Sequence, residues 1–297
     1  MSAPESSQSA DATVVNGGHT KAPFAGGSGE ARSPGLAGVF TRAADENRAA
    51  LVGYLPAGFP TVDGAVDAVK AMVAAGVDVI ELGLPYSDPL IDGPVIQDAV
   101  HRALVGGVRV RDVLASVEAI ATTGAATLVM TYWNPVDHYG VDAFARDLAG
   151  AGGVGLITPD LTPEEAGPWL EASEAHGLDR VFLVAPSSTE ERIATITAAS
   201  RGFVYAASVM GVTGARDRVG GGAADLVART RKHTKLPIGV GLGVRDRAQA
   251  AEVAGFADGV IVGSAFVQRL LDAPDPASGV EAVSALAADL AAGVRAR

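Results

Sequence analysis

The sequence predicts an α/β protein: a (β/α)8 TIM barrel forming a single domain, with a disordered N-terminal tail. Three observations carry that expectation. Eight short runs rich in Val, Ile and Leu alternate with Ala-rich stretches of helical period. Most of these runs are apolar on successive residues, as strands covered on both faces are. Finally, no G-x-G-x-x-G or Walker-type motif occurs anywhere in the chain. An open doubly wound sheet, the alternative architecture, usually carries such a fingerprint and needs fewer strands.

The runs are Leu51–Leu55, Val77–Leu84, Ala126–Tyr132, Gly153–Thr158, Arg180–Ala185, Phe203–Ser208, Pro237–Gly241 and Gly259–Gly263. After the first, Thr61–Ala75 sets Val66, Val69 and Val73 on one side of a helix and Asp63, Asp67 and Lys70 mostly on the other. Thr61 and Asp63 are candidate caps. Gly76 and Gly177 suit the left-handed position that ends a helix. The interval from Leu84 to Ala126 is too long for one helix and reads as a loop with two helices, Gly93–Leu104 and Arg111–Thr122. Thr162-Pro163-Glu164-Glu165 has the form of a helix start: a cap, a proline in the first turn, then acids at the positive end of the dipole. Asp160 reads as a cap for that helix. Ser188-Thr189-Glu190-Glu191 starts another.

Residues 1–35 are rich in Ser, Ala, Gly and Asp and hold few large apolar side chains, too few to offset the entropy of ordering. The domain is therefore expected over residues 36–297. With 48% hydrophobic residues it can build a sizeable core. A net charge of −11 and the lack of a basic patch argue against a nucleic-acid partner. No uninterrupted apolar run has membrane-spanning length, and the N-terminus lacks the pattern of a secretory signal. The absence of cysteine excludes disulfides, thiolate metal sites and a Cys nucleophile, and fits a cytoplasmic protein.

In a barrel, functional groups gather where strands end and the following loops begin. Two acids fall there. Glu81 lies in the second run among apolar neighbours, where desolvation would raise its pKa into the range useful for proton transfer; the plainer reading is a strand-end ion pair. Asp92 follows in a loop broken by Pro85, Pro89 and Pro94, and taken alone it is as well explained as a turn former. Three later loops are glycine-rich: Gly211-Val-Thr-Gly214, Gly241-Leu-Gly243 and Gly263-Ser264. Glycines let backbone N–H groups approach an anion, and Ser264 would open a helix whose N-terminus favours one. Arg216, Arg218 and Arg245 nearby read as loop and surface charges. The five histidines lack ligand spacing, so no metal site is expected. No lysine lies in a strand run, which argues against a Schiff-base aldolase. The inventory suits proton transfer on a phosphorylated metabolite.

The stretch from Glu81 to Gln97, "ELGLPYSDPLIDGPVIQ", resembles the signature of the tryptophan synthase α subunit family. "GVTG", "GVGLGV" and "VGSA" match its other motifs in order and spacing, from about Leu36 to the C-terminus. The resemblance implies retro-aldol cleavage of indole-3-glycerol phosphate to indole and glyceraldehyde 3-phosphate, in tryptophan biosynthesis. Glu81 would be the acid–base group and Asp92 the partner of the indole N–H. Gly214, Gly243, Gly263 and Ser264 would hold the phosphate, and Thr213 would close over the site on a lid, Val209–Ala223. Tyr54, Leu128, Tyr132 and Tyr205 would line the indole pocket. No cofactor is implied in this chain; pyridoxal phosphate belongs to a β subunit, met in an αββα heterotetramer through Pro85–Asp92 and Tyr132-Trp-Asn-Pro135. A free-standing lyase and a catalytically silent regulatory subunit are the alternatives. Leu242 and Tyr86 stand where phenylalanine is common in the family.

Overall fold

The structure is a computed structural model that describes residues 35–208 and 221–296. The expected tail lies outside the described residues except for Gly35, which opens a helix. Among the described residues nine strands follow in chain order: β1 (Ala50–Pro56), β2 (Val79–Gly83), β3 (Ala126–Met130), β4 (Gly155–Ile157), β5 (Asp179–Val181), β6 (Leu183–Val184), β7 (Val204–Ala207), β8 (Ile238–Gly241) and β9 (Gly259–Val262). All pairings are parallel, in the order β5-β4-β3-β2-β1-β9-β8-β7-β6.

The count corrects one expectation. The run Arg180–Ala185 is two short strands rather than one. β5 pairs with β4 and β6 with β7, so the chain changes partners at Phe182, whose carbonyl accepts the Tyr205 N–H at 3.1 Å. Staggered staves in a barrel require such a shift. Because β5 and β6 are consecutive, this segment joins the two edges of the sheet, and the architecture is an eight-stave barrel.

Side chains alternate between two cores, as the period of two requires. Leu51, Leu55, Ile80, Leu82, Val129, Leu156, Val204, Val240 and Val260 pack outward against the helices. Val52, Val79, Ala126, Leu128, Ile157, Val181, Phe203 and Ile261 fill the interior. The inward positions of β8, Gly239 and Gly241, and the first of β9, Gly259, are glycines, and rings from elsewhere use their space. A Cβ on Gly239 would lie 3.0 Å from Phe203, and one on Gly259 would lie 3.1 Å from Phe40.

Phe40 belongs to the helix Gly35–Asp45, which the sequence reading did not separate out. Leu36, Val39, Phe40 and Ala43 are buried on it at helical spacing and join the interior core from the end where the strands begin. The Asp179 carboxylate accepts the Leu36 N–H there; burial pushes this acid up while Arg201 and the N–H bond hold it down. At the same end of the barrel, Arg48 makes a bidentate pair with Asp78 at 2.7 and 2.9 Å, joining the bases of β1 and β2.

Two helices fill the interval after β2, Pro94–Val105 and Val110–Ala121, as expected. Thr61 caps Val62–Ala74 by accepting the Gly64 N–H, and Gly177 ends its helix in the left-handed region at φ 66°. The start expected at Thr162 is instead an isolated turn, and the helix begins at Gly167. Pro276–Val294 is long and apolar enough to cross a membrane. Its Val283, Leu286, Ala287 and Leu290 are buried in the outer core against the neighbouring helices.

Candidate active site

Glu81 sits on β2 beside Tyr54 of β1 and Leu128 of β3, which are its register partners. All three point inward by strand parity. The Glu81 side chain is 1% exposed, and its Oε1 has no hydrogen-bond partner among the described residues. Among the described residues no cation offsets its burial, so desolvation raises its pKa to about 8. The ion-pair reading of this acid is thereby excluded within the described residues. A neutral, buried carboxylic acid at pH 7 can both donate and accept a proton.

Asp92 lies in the loop after β2, half-buried. Its Oδ1 accepts a hydrogen bond from the Tyr132 hydroxyl at 3.2 Å, while the Gln97 amide donates to its backbone carbonyl at 2.7 Å. Burial raises its pKa above the ordinary carboxylate value, and the Tyr132 bond pulls it partly back. Tyr54 lies between the acids: its burial, then the charges of Asp92 and Glu81, push its phenol well up. Tyr205, across the barrel on β7, is pushed up by desolvation and by Glu81. The acids, three tyrosines and Leu128 thus form one cluster at the strand ends.

Two glycines seat those rings, and the sequence reading missed their part. A Cβ on Gly83 would collide with the Tyr54 hydroxyl, and one on Gly241 with that of Tyr205. The signal was available: Gly83 shares the inward parity of Glu81. Asp160 does cap a helix, but not the one expected. Its carboxylate accepts the N–H of Trp133 at 2.9 and 3.1 Å, at the start of the helix Trp133–Tyr139. That pairing crosses between loops, beyond the reach of local spacing.

Next to β1 around the mouth, Gly243 follows β8 with φ 79°, and Gly263 follows β9 and precedes the helix Ser264–Asp272, where a Cβ on it would lie 3.3 Å from the Tyr54 ring. The Gly263 carbonyl accepts the N–H groups of Phe266 and Val267, while those of Ser264 and Ala265 begin the helix. Thr213 and Gly214, with Arg216, Arg218 and most of the expected lid, lie outside the described residues. Among the described residues no cluster of His, Asp or Glu could hold a metal ion. A large cavity opens at the other end of the barrel, around Leu36, Phe40, Arg48 and Asp258. It is lined by strand beginnings and by the plugging helix and holds none of this cluster.

A parallel barrel with a protonatable acid buried at the C-terminal end of a strand defines a class: the barrel enzymes that work by acid–base chemistry. Comparison with known proteins narrows this. The family model described as "Tryptophan synthase alpha chain" matches residues 40–295. The tryptophan synthase alpha chain of Thermobifida fusca is 65% identical over 254 residues, covering 84% of this chain and 94% of that protein. That of Mycobacterium avium is 62% identical over 262 residues, covering 88% and 95%. A crystal structure of Mycobacterium tuberculosis tryptophan synthase superposes with a TM-score of 0.81 at 60% identity, over 88% of this chain and 98% of that one. The alpha subunit from Legionella pneumophila reaches 0.79 at 32% identity, over 87% and 97%.

The chain belongs to the tryptophan synthase alpha chain family. It is the lyase subunit that cleaves indole-3-glycerol phosphate, and it pairs with a beta subunit that carries the pyridoxal phosphate of the complex.

Proposed function

We propose that Glu81 is the acid–base group of the cleavage and that Asp92 serves the indole nitrogen. The carrying observation is the buried carboxyl of Glu81 at the mouth of the barrel, whose Oε1 has no partner among the described residues, with its pKa raised to about 8. Indole is a poor leaving group until its C3 is protonated. Glu81 in its neutral form gives that proton. The ring N–H becomes acidic as a result, and the Asp92 carboxylate stabilises it, taking up the proton and returning it as the ring regains aromaticity. The Glu81 carboxylate then removes the proton of the C3′ hydroxyl. The C3–C3′ bond breaks, its electrons return to the indole, and the aldehyde of glyceraldehyde 3-phosphate forms. Glu81 ends the cycle protonated, as it began.

Tyr54, Leu128, Tyr132 and Tyr205 line the indole pocket in this reading. The register of Tyr54 and Leu128 beside Glu81, and the charge of Glu81 felt at Tyr205, support it. Gly243, Gly263 and Ser264, together with Gly214, hold the phosphate through backbone N–H groups at a turn and a helix start. The enzyme works in the cytoplasm, as fits a soluble biosynthetic family and a chain without cysteine.

The test is indole release from indole-3-glycerol phosphate by the purified chain, alone and with a beta subunit, beside Glu81→Gln. Removing a general acid–base group typically costs about 10² to 10⁴ in rate. Wild-type turnover in the variant would sink the assignment. Fast turnover without the beta subunit would mark a free-standing lyase.

A further inference from the structure

The loop that carries Asp92 is poorly anchored by its own side chains. Leu90 is 75% exposed and Ile91 55% exposed, so burial does not fix the backbone between them and Asp92. One phenol from another strand end does. The Tyr132 hydroxyl accepts the N–H of Leu90 at 3.0 Å and the N–H of Ile91 at 3.0 Å, and donates to Asp92 Oδ1 at 3.2 Å. Its ring meets that of Tyr86, earlier in the same loop, at 5.4 Å between centroids. The hydroxyl therefore uses both its lone pairs and its proton on three consecutive residues, a full complement for this group.

We infer that the Tyr132 hydroxyl is a positioning group, a three-point clamp that holds the loop Leu90–Asp92 and presents the Asp92 carboxylate in one orientation. This goes beyond lining a pocket, and it rests on the reading of Asp92 given above. Oδ1 is tied to the phenol, while Oδ2 has no partner among the described residues and is left for the substrate. A carboxylate oxygen accepts this bond more strongly than a protonated acid does, so the clamp also favours the ionised form, the form the mechanism uses.

The test is Tyr132→Phe, which keeps the ring and its contact with Tyr86 and removes only the hydroxyl. Amide hydrogen exchange in the peptide Tyr86–Gly93 should quicken about tenfold, the equivalent of one ordinary hydrogen bond lost. Turnover of indole-3-glycerol phosphate should fall by about the same factor with KM little changed. The acidic limb of the pH–rate profile should move to higher pH, because a bond favouring the carboxylate is gone. In an Asp92→Asn background the same substitution should cost no further rate. Unchanged exchange would overturn the clamp, as would an equal loss of rate in both backgrounds. Wild-type turnover by Asp92→Asn alone would instead sink the reading of Asp92, and the exchange measurement would then decide the clamp by itself.

Discussion

Glu81 carries a cost as well as a function, and pH separates the two. Its folded pKa of about 8 stands above the ordinary glutamate value of 4.5. Below the ordinary value both folded and unfolded chains hold the proton, and nothing is lost. Between the two values the unfolded chain releases the proton while the folded chain keeps it. Stability then falls with rising pH by about 1.4 kcal/mol per unit, and levels off above the folded value. Glu81→Gln should therefore stabilise the protein, by little at pH 5 and by most at pH 8 and above, as denaturant midpoints at the two pH values will show. A flat difference across that range would contradict the raised pKa. The same group predicts an alkaline limb in catalysis: kcat/KM should fall about tenfold per unit above pH 8, as free enzyme loses the proton it must donate. Glu81 was legible in the sequence because a carboxylate inside an apolar run conflicts with its surroundings. The part of Tyr132 in holding the loop was not. Its partners lie some forty positions away, at 41 and 42 residues' separation, and no local pattern marks them.

The plugging helix Gly35–Asp45 and the base of the strands share one stabilising arrangement. Phe40 packs against Phe203, the rings tilted by 45° with centroids 5.4 Å apart, and fills the space that Gly259 leaves. Phe40→Ala should cost about 3–5 kcal/mol, the usual range for a buried ring, read from chemical unfolding. Arg48 is 4% exposed and Asp78 10% exposed; Arg48→Ala leaves that carboxylate its Leu51 N–H but no counter-charge and should cost about 3 kcal/mol, with Arg48→Ala/Asp78→Asn costing less than the sum of the single changes. Most elements were readable from periodicity and caps, and the helices that follow Thr61 and Thr189 begin where their hydroxyls accept an N–H. The failures have physical causes. Thr162-Pro163-Glu164-Glu165 carries every local signal of a helix start, yet it makes only one turn before Gly167. The division of Arg180–Ala185 follows from the stagger of the closed barrel, which no single strand encodes.

At the scale of the molecule, the domain is proposed to begin at the plugging helix. Removing residues 1–34 should leave the thermal midpoint and the cleavage rate unchanged, whereas removal through Asp45 should uncover Val52, Val79 and Phe203 and lower the midpoint sharply. An equal effect from both truncations would show that the tail belongs to the domain. The eightfold alternation was legible because it repeats along the chain. Closure was not, since it depends on pairing between distant strands. β1 hydrogen-bonds both to β2, its near neighbour in sequence, and to β9, the last strand to be made among the described residues. On a ribosome adding about 5–20 residues per second, Gly259 follows Ala50 by on the order of ten to forty seconds. Throughout that interval one edge of β1 has no native partner. The nascent chain spends its synthesis with an open seam running from Ala50 to Gly53, and a chaperone that shields that edge would act during translation rather than after it.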